Sequence, residues 1–291
     1  MPDVVRAAAH AKLNLFLRVL AREADGFHGL ETLFCRISLA DELAIERTTS
    51  GVALETDVDL GPAERNLAVR AAEQVLNATG RRFGVRIALT KRIPVGAGLG
   101  GGSSDAAATL LAVNALAGNA VPRHELLQLA ARLGSDVPFL VSGAALALAW
   151  AHGDRMIRLA PLPAAPILLL TPPHPVSTAA AYGWLDAARQ GPFRRGALAL
   201  DLDALSSWGD IGRMAGNDFE SAVFEHHPEV REAFGALAGT HPLVCRMTGS
   251  GSTLFAVYRS PRDRDDAQMM LGRKHGTVLP AETLAGPPAT P

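Results

Sequence analysis

The residues best placed to do chemistry lie between Pro94 and Ser104, in the string P-V-G-A-G-L-G-G-G-S-S. Gly96, Gly98, Gly100, Gly101 and Gly102 fall within seven positions. That density is costly in chain entropy, and it suits a backbone that must take positive φ or let a ligand approach bare N–H groups. Ser103, Ser104 and Asp105 lead into an apolar run, A-A-A-T-L-L-A-V-N-A-L. Serine is a preferred N-cap, and an acid in the first turn suits the helix dipole. The stretch reads as a glycine loop feeding a helix over 103–117, a site for anionic oxygen and most plausibly phosphate. A flexible linker ahead of a helix is the plain alternative.

Two familiar phosphate loops do not fit. A Walker loop ends in G-K-[ST], and no lysine stands here. Gly96 to Gly101 match G-x-G-x-x-G, but a dinucleotide fold needs a second strand after the helix, ending in an acid about 20 residues on. The chain runs instead into a second helix, R-H-E-L-L-Q-L-A-A-R-L over 123–133.

Other candidates are scattered. Residues 8–19 alternate as a strand should, with Leu13, Leu15, Leu17 and Val19 on one face and His10, Lys12, Asn14, Phe16 and Arg18 on the other. Lys12 and Asn14 thus leave the same side, roughly 6.6 Å apart. By spacing alone a half-exposed strand with a solvated lysine explains them. The chain holds 25 arginines and three lysines, Lys12, Lys91 and Lys274, so a retained lysine suggests a need for an ammonium. At Asp25 to His28, D-G marks a tight turn, and Phe27 and His28 at its exit could stack on and hydrogen-bond a flat ring. A hairpin with a core Phe and a surface His is the plainer reading. Asp136, after Gly134 and Ser135, reads locally as a turn or N-cap residue. The string M-T-G-S-G-S around Thr248, Gly249, Ser250 and Gly251 reads as a hairpin turn between strands.

The supporting elements follow from pattern. Strands are predicted over 35–47 and 83–91, the second entering the glycine loop, and a helix from Asn66. A hairpin is predicted over 144–159 around H-G-D. Prolines 161, 163 and 166 mark the boundary between an N-terminal domain, 1–160, and a C-terminal domain, 161–280. A buried strand over 167–171, a helix holding Tyr182 and Trp184, a loop-rich 190–216 and a last helix from Arg262 complete the second domain. The tail 281–291, with A-G-P-P-A-T-P, is expected to be disordered.

Composition excludes several classes. The 291 residues are 48% hydrophobic with net charge −1, which favours neither a nucleic-acid nor a membrane partner. There is no secretory pattern at the start and no long uncharged apolar run, so a cytoplasmic protein is expected. Cys35 and Cys245 are isolated, as thiols in a reducing compartment would be. The nine histidines form no zinc-ligand spacing, so no protein-held metal is expected. Oligomeric state is open between a monomer and a weak homodimer.

The string P94-x-x-x-G-L-G-G-G-S-S-D-A-A resembles the phosphate-loop signature of the GHMP kinases, whose members include galactokinase, homoserine kinase and mevalonate kinase. G-S-D-V-P-F at 134–139, N-D-F-E at 217–220 and M-T-G-S-G-S at 247–252 resemble further motifs of that family, in its order. A-K-L-N-L at 11–15 and D-G-F-H at 25–28 resemble the branch whose acceptor alcohol carries a cytidine diphosphate group, in the non-mevalonate route to isoprenoid precursors. Phe27 stands where that branch more often has Tyr.

The resemblance implies an α+β fold of two lobes, ATP-binding and substrate-binding, and an ATP-dependent small-molecule kinase. It implies that Asp136 takes the acceptor hydroxyl's proton and that Lys12 lies against it. Pro94, Val95, Gly96, Ala97, Gly98, Leu99, Gly100, Gly101, Gly102, Ser103 and Ser104, with Asn66, would hold ATP, and Mg²⁺ would arrive with the nucleotide, Ser104 being a weak candidate ligand. Phe27 and Tyr182 would sandwich the base, and His28 would read its edge. Asn14 and Asp25 would reach the acceptor's hydroxyls, and Thr248, Gly249, Ser250 and Gly251 would close on substrate. Homoserine or mevalonate is the rival acceptor. A catalytically dead ligand-binding protein of the same fold is the rival class, and it would be expected to have lost Lys12 or Asp136.

Overall fold

The chain's computed structural model describes residues 3–23, 26, 28–189 and 201–288. Two long antiparallel strands, β1 (Val4–Arg22) and β2 (His28–Thr48), carry the N-terminal half, paired from Val4↔Glu46 to Arg22↔His28. Strand β3 (Val52–Thr56) and helix α1 (Leu67–Ala78) follow. Next come β4 (Gly84–Thr90), α2 (Gly101–Leu116), α3 (Arg123–Ala131) and α4 (Val137–Ser142). A hairpin of β5 (Leu146–Ala151) and β6 (Arg155–Arg158) closes the half. The six strands form one sheet in which β2 is shared by β1, β4 and β5. The helices bury their apolar stripes in a core of residues such as Val75, Ile87, Leu110, Val113 and Phe139.

The second half is a four-stranded antiparallel sheet, ordered β10 (Thr277–Glu282), β7 (Pro166–Thr171), β9 (Leu254–Val257), β8 (Val244–Met247). Its helices are α5 (Thr178–Ala188), α6 (Trp208–Met214), α7 (Glu220–His226), α8 (Pro228–Ala238) and α9 (Pro261–Leu271). The run I-L-L-L in β7 is buried on both faces. Ile167 and Leu169 pack toward β1 and β2 with Leu13 and Leu33, and Leu168 and Leu170 pack toward the helices with Ala181 and Leu237. The architecture is the expected α+β. Among the described residues no helix is long and apolar enough to cross a membrane.

Two details depart from the sequence pattern. Strict alternation in β1 fails because its register shifts against β2 between His10 and Lys12 and again between Asn14 and Phe16. A bulge re-aims the side chains that follow it. Phe16 therefore joins the apolar cluster of Leu13 and Leu15, while Leu17 joins Lys12 and Asn14 at a cleft. The second departure is at the C-terminus. β10 runs to Glu282, Thr283 bridges to Ile37, and Leu284 N–H donates to the Arg36 carbonyl at 3.0 Å. The start of the expected disordered tail is thus held by both sheets, and it stitches the second half of the chain onto β2.

Candidate active site

Lys12 is not solvated. Its side chain is 4% exposed, and Nζ donates to Asn14 Oδ1 at 2.7 Å and lies 3.3 Å from Asp136 Oδ2. Asp136 sits at the N-cap of α4 yet makes no side-chain capping bond, so its carboxylate, 26% exposed, is turned to Lys12 and the cleft. Asn14 holds this pair in place. Its Oδ1 also accepts from Gly249 N–H at 3.1 Å, its Nδ2 donates to Thr32 Oγ1 at 2.8 Å, and Thr32 Oγ1 donates to the Phe16 carbonyl at 2.7 Å. Asn14, expected to reach an acceptor's hydroxyls, lines the cleft and also fixes Lys12 and the 248–253 turn.

That turn and the glycine loop interlock. A Cβ on Gly98, at φ +77°, would lie 2.5 Å from the Thr248 carbonyl oxygen. A Cβ on Gly100, at φ +72°, would lie 3.0 Å from Lys12 Cγ and Cε. Both positions need glycine for conformation and for closeness. Asn217 secures the turn by donating from Nδ2 to the Met247 and Gly249 carbonyls, at 2.8 Å each. Glu220 does not close a capping box with Asn217. Its Oε1 accepts from Met247 N–H at 2.9 Å, so it too serves the turn.

Residues 94–103 line a cavity of about 360 Å³ together with Asn66. The N–H groups from Val95 to Gly102 donate no hydrogen bond to any of the described residues. Free amides at the head of the sixteen-residue α2 make an anion site. Ser103 lines this cavity and the neighbouring cleft. Ser104 does not line the loop cavity, because its hydroxyl faces the carbonyls of His10 and Gly100, at 2.8 and 3.0 Å. Asn66 spends Oδ1 on capping α1, accepting from Ala68 N–H at 2.8 Å, which leaves its NH₂ for a ligand.

Beneath the loop lies a buried trio unforeseen from sequence. Lys91 Nζ bridges Asp41 and Asp105, 2.7 Å from the latter's Oδ2, and Asp41 Oδ1 also accepts from Ile93 N–H at 2.8 Å. Asp105 Oδ1 has no partner among the described residues. Burial pushes the Asp105 carboxyl up to about 7, against the pull of Lys91. For Lys91 burial acts downward, but the two carboxylates outweigh it and the net shift is upward. The scarcity of lysine was the usable signal, since Lys12 and Lys91 are buried and only Lys274 is exposed, at 75%.

The cleft beyond Lys12 measures about 450 Å³ and is lined by Asn14, Asp136, Tyr182, Phe219, Gly249 and Ser250 among others. Tyr182 stacks on His28 with ring centroids 4.9 Å apart and meets Phe219 edge-on. His28 Nε2 is 2.8 Å from Asp186 Oδ1, a partner that no motif announced. Thr248 is fully buried under the turn, and Gly251 packs on Met247 rather than on the cleft. Asp25 and Phe27 lie outside the described residues.

A lysine-backed carboxylate, an amide-lined glycine loop and a second glycine turn meet at one corner of the chain. The family models described as GHMP kinases N terminal domain and GHMP kinases C terminal match residues 66–149 and 199–277. The chain belongs to the GHMP kinases. Among its similar relatives is the 4-diphosphocytidyl-2-C-methyl-D-erythritol kinase of Solibacter usitatus, 41% identical over 86% of this chain and 80% of the relative. That of Moorella thermoacetica is 42% identical over 88% and 90%. A crystal structure of 4-(cytidine 5'-diphospho)-2C-methyl-D-erythritol kinase superposes with a TM-score of 0.80 at 38% identity, covering 96% of this chain and 99% of that one. A homoserine kinase from Cytophaga hutchinsonii, at 21% identity and TM-score 0.68, shares the fold.

Asp105 supplies a pH test. Its folded-state pKa of about 7 lies above the ordinary 3.8, so the folded chain holds a proton that the unfolded chain releases between those values. Its contribution to stability is present below the ordinary pKa and is lost as pH rises through about 7. Asp105→Asn cannot titrate. Urea denaturation at about pH 5 and about pH 8 should show the variant gaining stability relative to wild type as pH rises; a difference that is flat or falls contradicts the reading.

Proposed function

We propose that the cleft transfers the γ-phosphoryl group of ATP to the 2-hydroxyl of 4-diphosphocytidyl-2-C-methyl-D-erythritol, the step of the non-mevalonate isoprenoid route for which the relatives are named. The observation that carries this reading is the Lys12–Asp136 contact at 3.3 Å beside a loop of free amides. Phosphoryl transfer leaves a protein little covalent work, so positioning and neutralisation dominate.

Each group then has a task. The amides of 95–102 and the positive end of α2 hold the ATP phosphates. Asp136 accepts the proton of the attacking hydroxyl, and its freedom from capping leaves the carboxylate to Lys12 and the cleft. Lys12, fixed by Asn14, orients that carboxylate and offsets charge developing on the transferred group. Among the described residues no group of three or more His, Cys, Asp or Glu is placed to hold a metal. The loop's donors suit a nucleotide that brings its own Mg²⁺, which neutralises phosphate oxygens and needs few protein groups. Ser103, with its side of the helix turned to both cavities, fits better than Ser104 as a hydroxyl near the phosphates.

Base recognition falls to the wall of His28 and Tyr182. If His28 donates from Nε2 to Asp186, Nδ1 becomes an acceptor, the complement of cytosine's exocyclic amine. Tyr182, which lines the cleft, supplies an aromatic edge for the base beside the His28 ring stacked on it.

Two variants separate the roles. Asp136→Asn should lower kcat by about a hundredfold or more while ATP binding, read by titration calorimetry, stays near wild type. Turnover near wild type would remove Asp136 from the mechanism. His28→Ala should raise KM for the cytidyl substrate by about tenfold or more, with a smaller effect on KM for ATP. Equal effects on both substrates would show that His28 does not read the base.

A further inference from the structure

Helix α2 has a second cavity on its far side. The turn that presents Ser104, Ala107 and Ala108 faces away from the glycine loop and walls a pocket of about 260 Å³. Its charged lining is one-sided. Arg36, Arg123, Arg158 and His10 contribute to it, and no Asp or Glu does among the described residues. Nothing in the proposed reaction uses these groups.

The arginines differ in how far the protein already occupies them. Arg36 is 4% exposed, and its Nε and Nη2 donate to the carbonyls of Phe139, Leu140 and Ala144, at 2.9 to 3.3 Å. Among the described residues Nη1 has no protein acceptor and no carboxylate pairs with the charge, which otherwise meets only the face of the Phe139 ring, 5.3 Å from Cζ to the centroid. Arg123 Nη2 donates to the Ser142 carbonyl at 2.7 Å. Arg158 has no side-chain partner among the described residues. Carbonyls satisfy N–H groups but do not neutralise a guanidinium, and the buried charge of Arg36 is costly unless it is paired. Arg123 and Arg158, both exposed, bring two more cations to the same cavity. An anion there would meet all three.

We infer that the cavity behind α2, walled by Arg36, Arg123 and Arg158, binds a diphosphate group, either as the free anion or as the end of a small ester. Guanidinium is the side chain best matched to phosphate, since its donors meet two oxygens at once. Three such cations roughly match the charge of a diphosphate, and the space admits the group with a short organic extension. His10 adds a polar edge: it lines the cavity, and its Nδ1 lies 3.1 Å from the Ile37 carbonyl at the β1–β2 irregularity. The site is physically joined to the ATP loop. Ser104 bonds the His10 and Gly100 carbonyls, and Lys12 follows His10 by two residues on β1. An anion that prefers one setting of α2 must, by linkage, be felt at the nucleotide site.

The test is calorimetric titration of inorganic diphosphate into the full chain. The glycine loop is first filled with a saturating non-hydrolysable ATP analogue, in metal-free buffer. The expected result is one further 1:1 binding event, weakened roughly tenfold or more by Arg158→Gln and again by Arg123→Gln. Both variants should keep wild-type kinase turnover. Arg36 is left intact because its loss would orphan three carbonyls. Methyl diphosphate in a parallel titration distinguishes the sources: tighter binding than the inorganic anion points to an ester, weaker binding to the free ion. No further binding event, or one that both variants leave within about twofold, overturns the inference.

Discussion

The burial of one ammonium group governs this structure. Lys12 has lost almost all contact with water, and a desolvated charge is tolerated only with close oxygen partners. Asn14 and Asp136 supply them from β1 and from the head of α4. Asn14 in turn receives a backbone N–H from the 248–253 turn, so the C-terminal half helps to fix the lysine that the N-terminal half carries. Gly100 is excluded from bearing a side chain by the same lysine, which brings the glycine loop against the carboxylate. Carboxylate, glycine loop and 248–253 turn thus share one corner because one cation must be satisfied there.

Around that corner the fold separates tasks by face. The front of α2 carries free amides, and its back closes a cavity rich in guanidinium. One helix can serve both because its residues are small and mostly apolar, so it packs on nearly every side. The Asp41–Lys91–Asp105 trio stiffens the base of the loop. Its carboxylates outnumber its ammonium, which is why burial can hold Asp105 protonated near neutral pH.

Much of this was legible in the chain. The glycine string and the helix after it form a pattern in which spacing and chemistry coincide, whereas Asp136 read locally as a turn residue, and its role and the α+β fold of two lobes were implied only by the resemblance to the GHMP kinases. What stayed hidden depends on contacts between distant segments. Alternation placed Phe16 beside Lys12 and Asn14, but bulges set by pairing with β2 moved it into the core. Spacing alone would leave Lys12 in water, because the groups packed on it, Asp136 and the glycine loop at Gly100, come from distant parts of the chain. Asp186 and Thr32 carry no local signature; they matter through His28 and Asn14. The end of the chain looked too rich in Gly and Pro to fold, yet β10 and Thr283 find open edges in both sheets.

The most direct measurement is ADP release by the purified protein with ATP and Mg²⁺, offering diphosphocytidyl-methylerythritol, homoserine and mevalonate in parallel. Turnover with the cytidyl alcohol alone is the predicted result. Turnover with homoserine or mevalonate in its place would keep the phosphoryl-transfer chemistry and refute the role given to His28 and Tyr182. Silence with all three, while ATP still binds, would contradict the assignment of Lys12 and Asp136 as working catalytic groups.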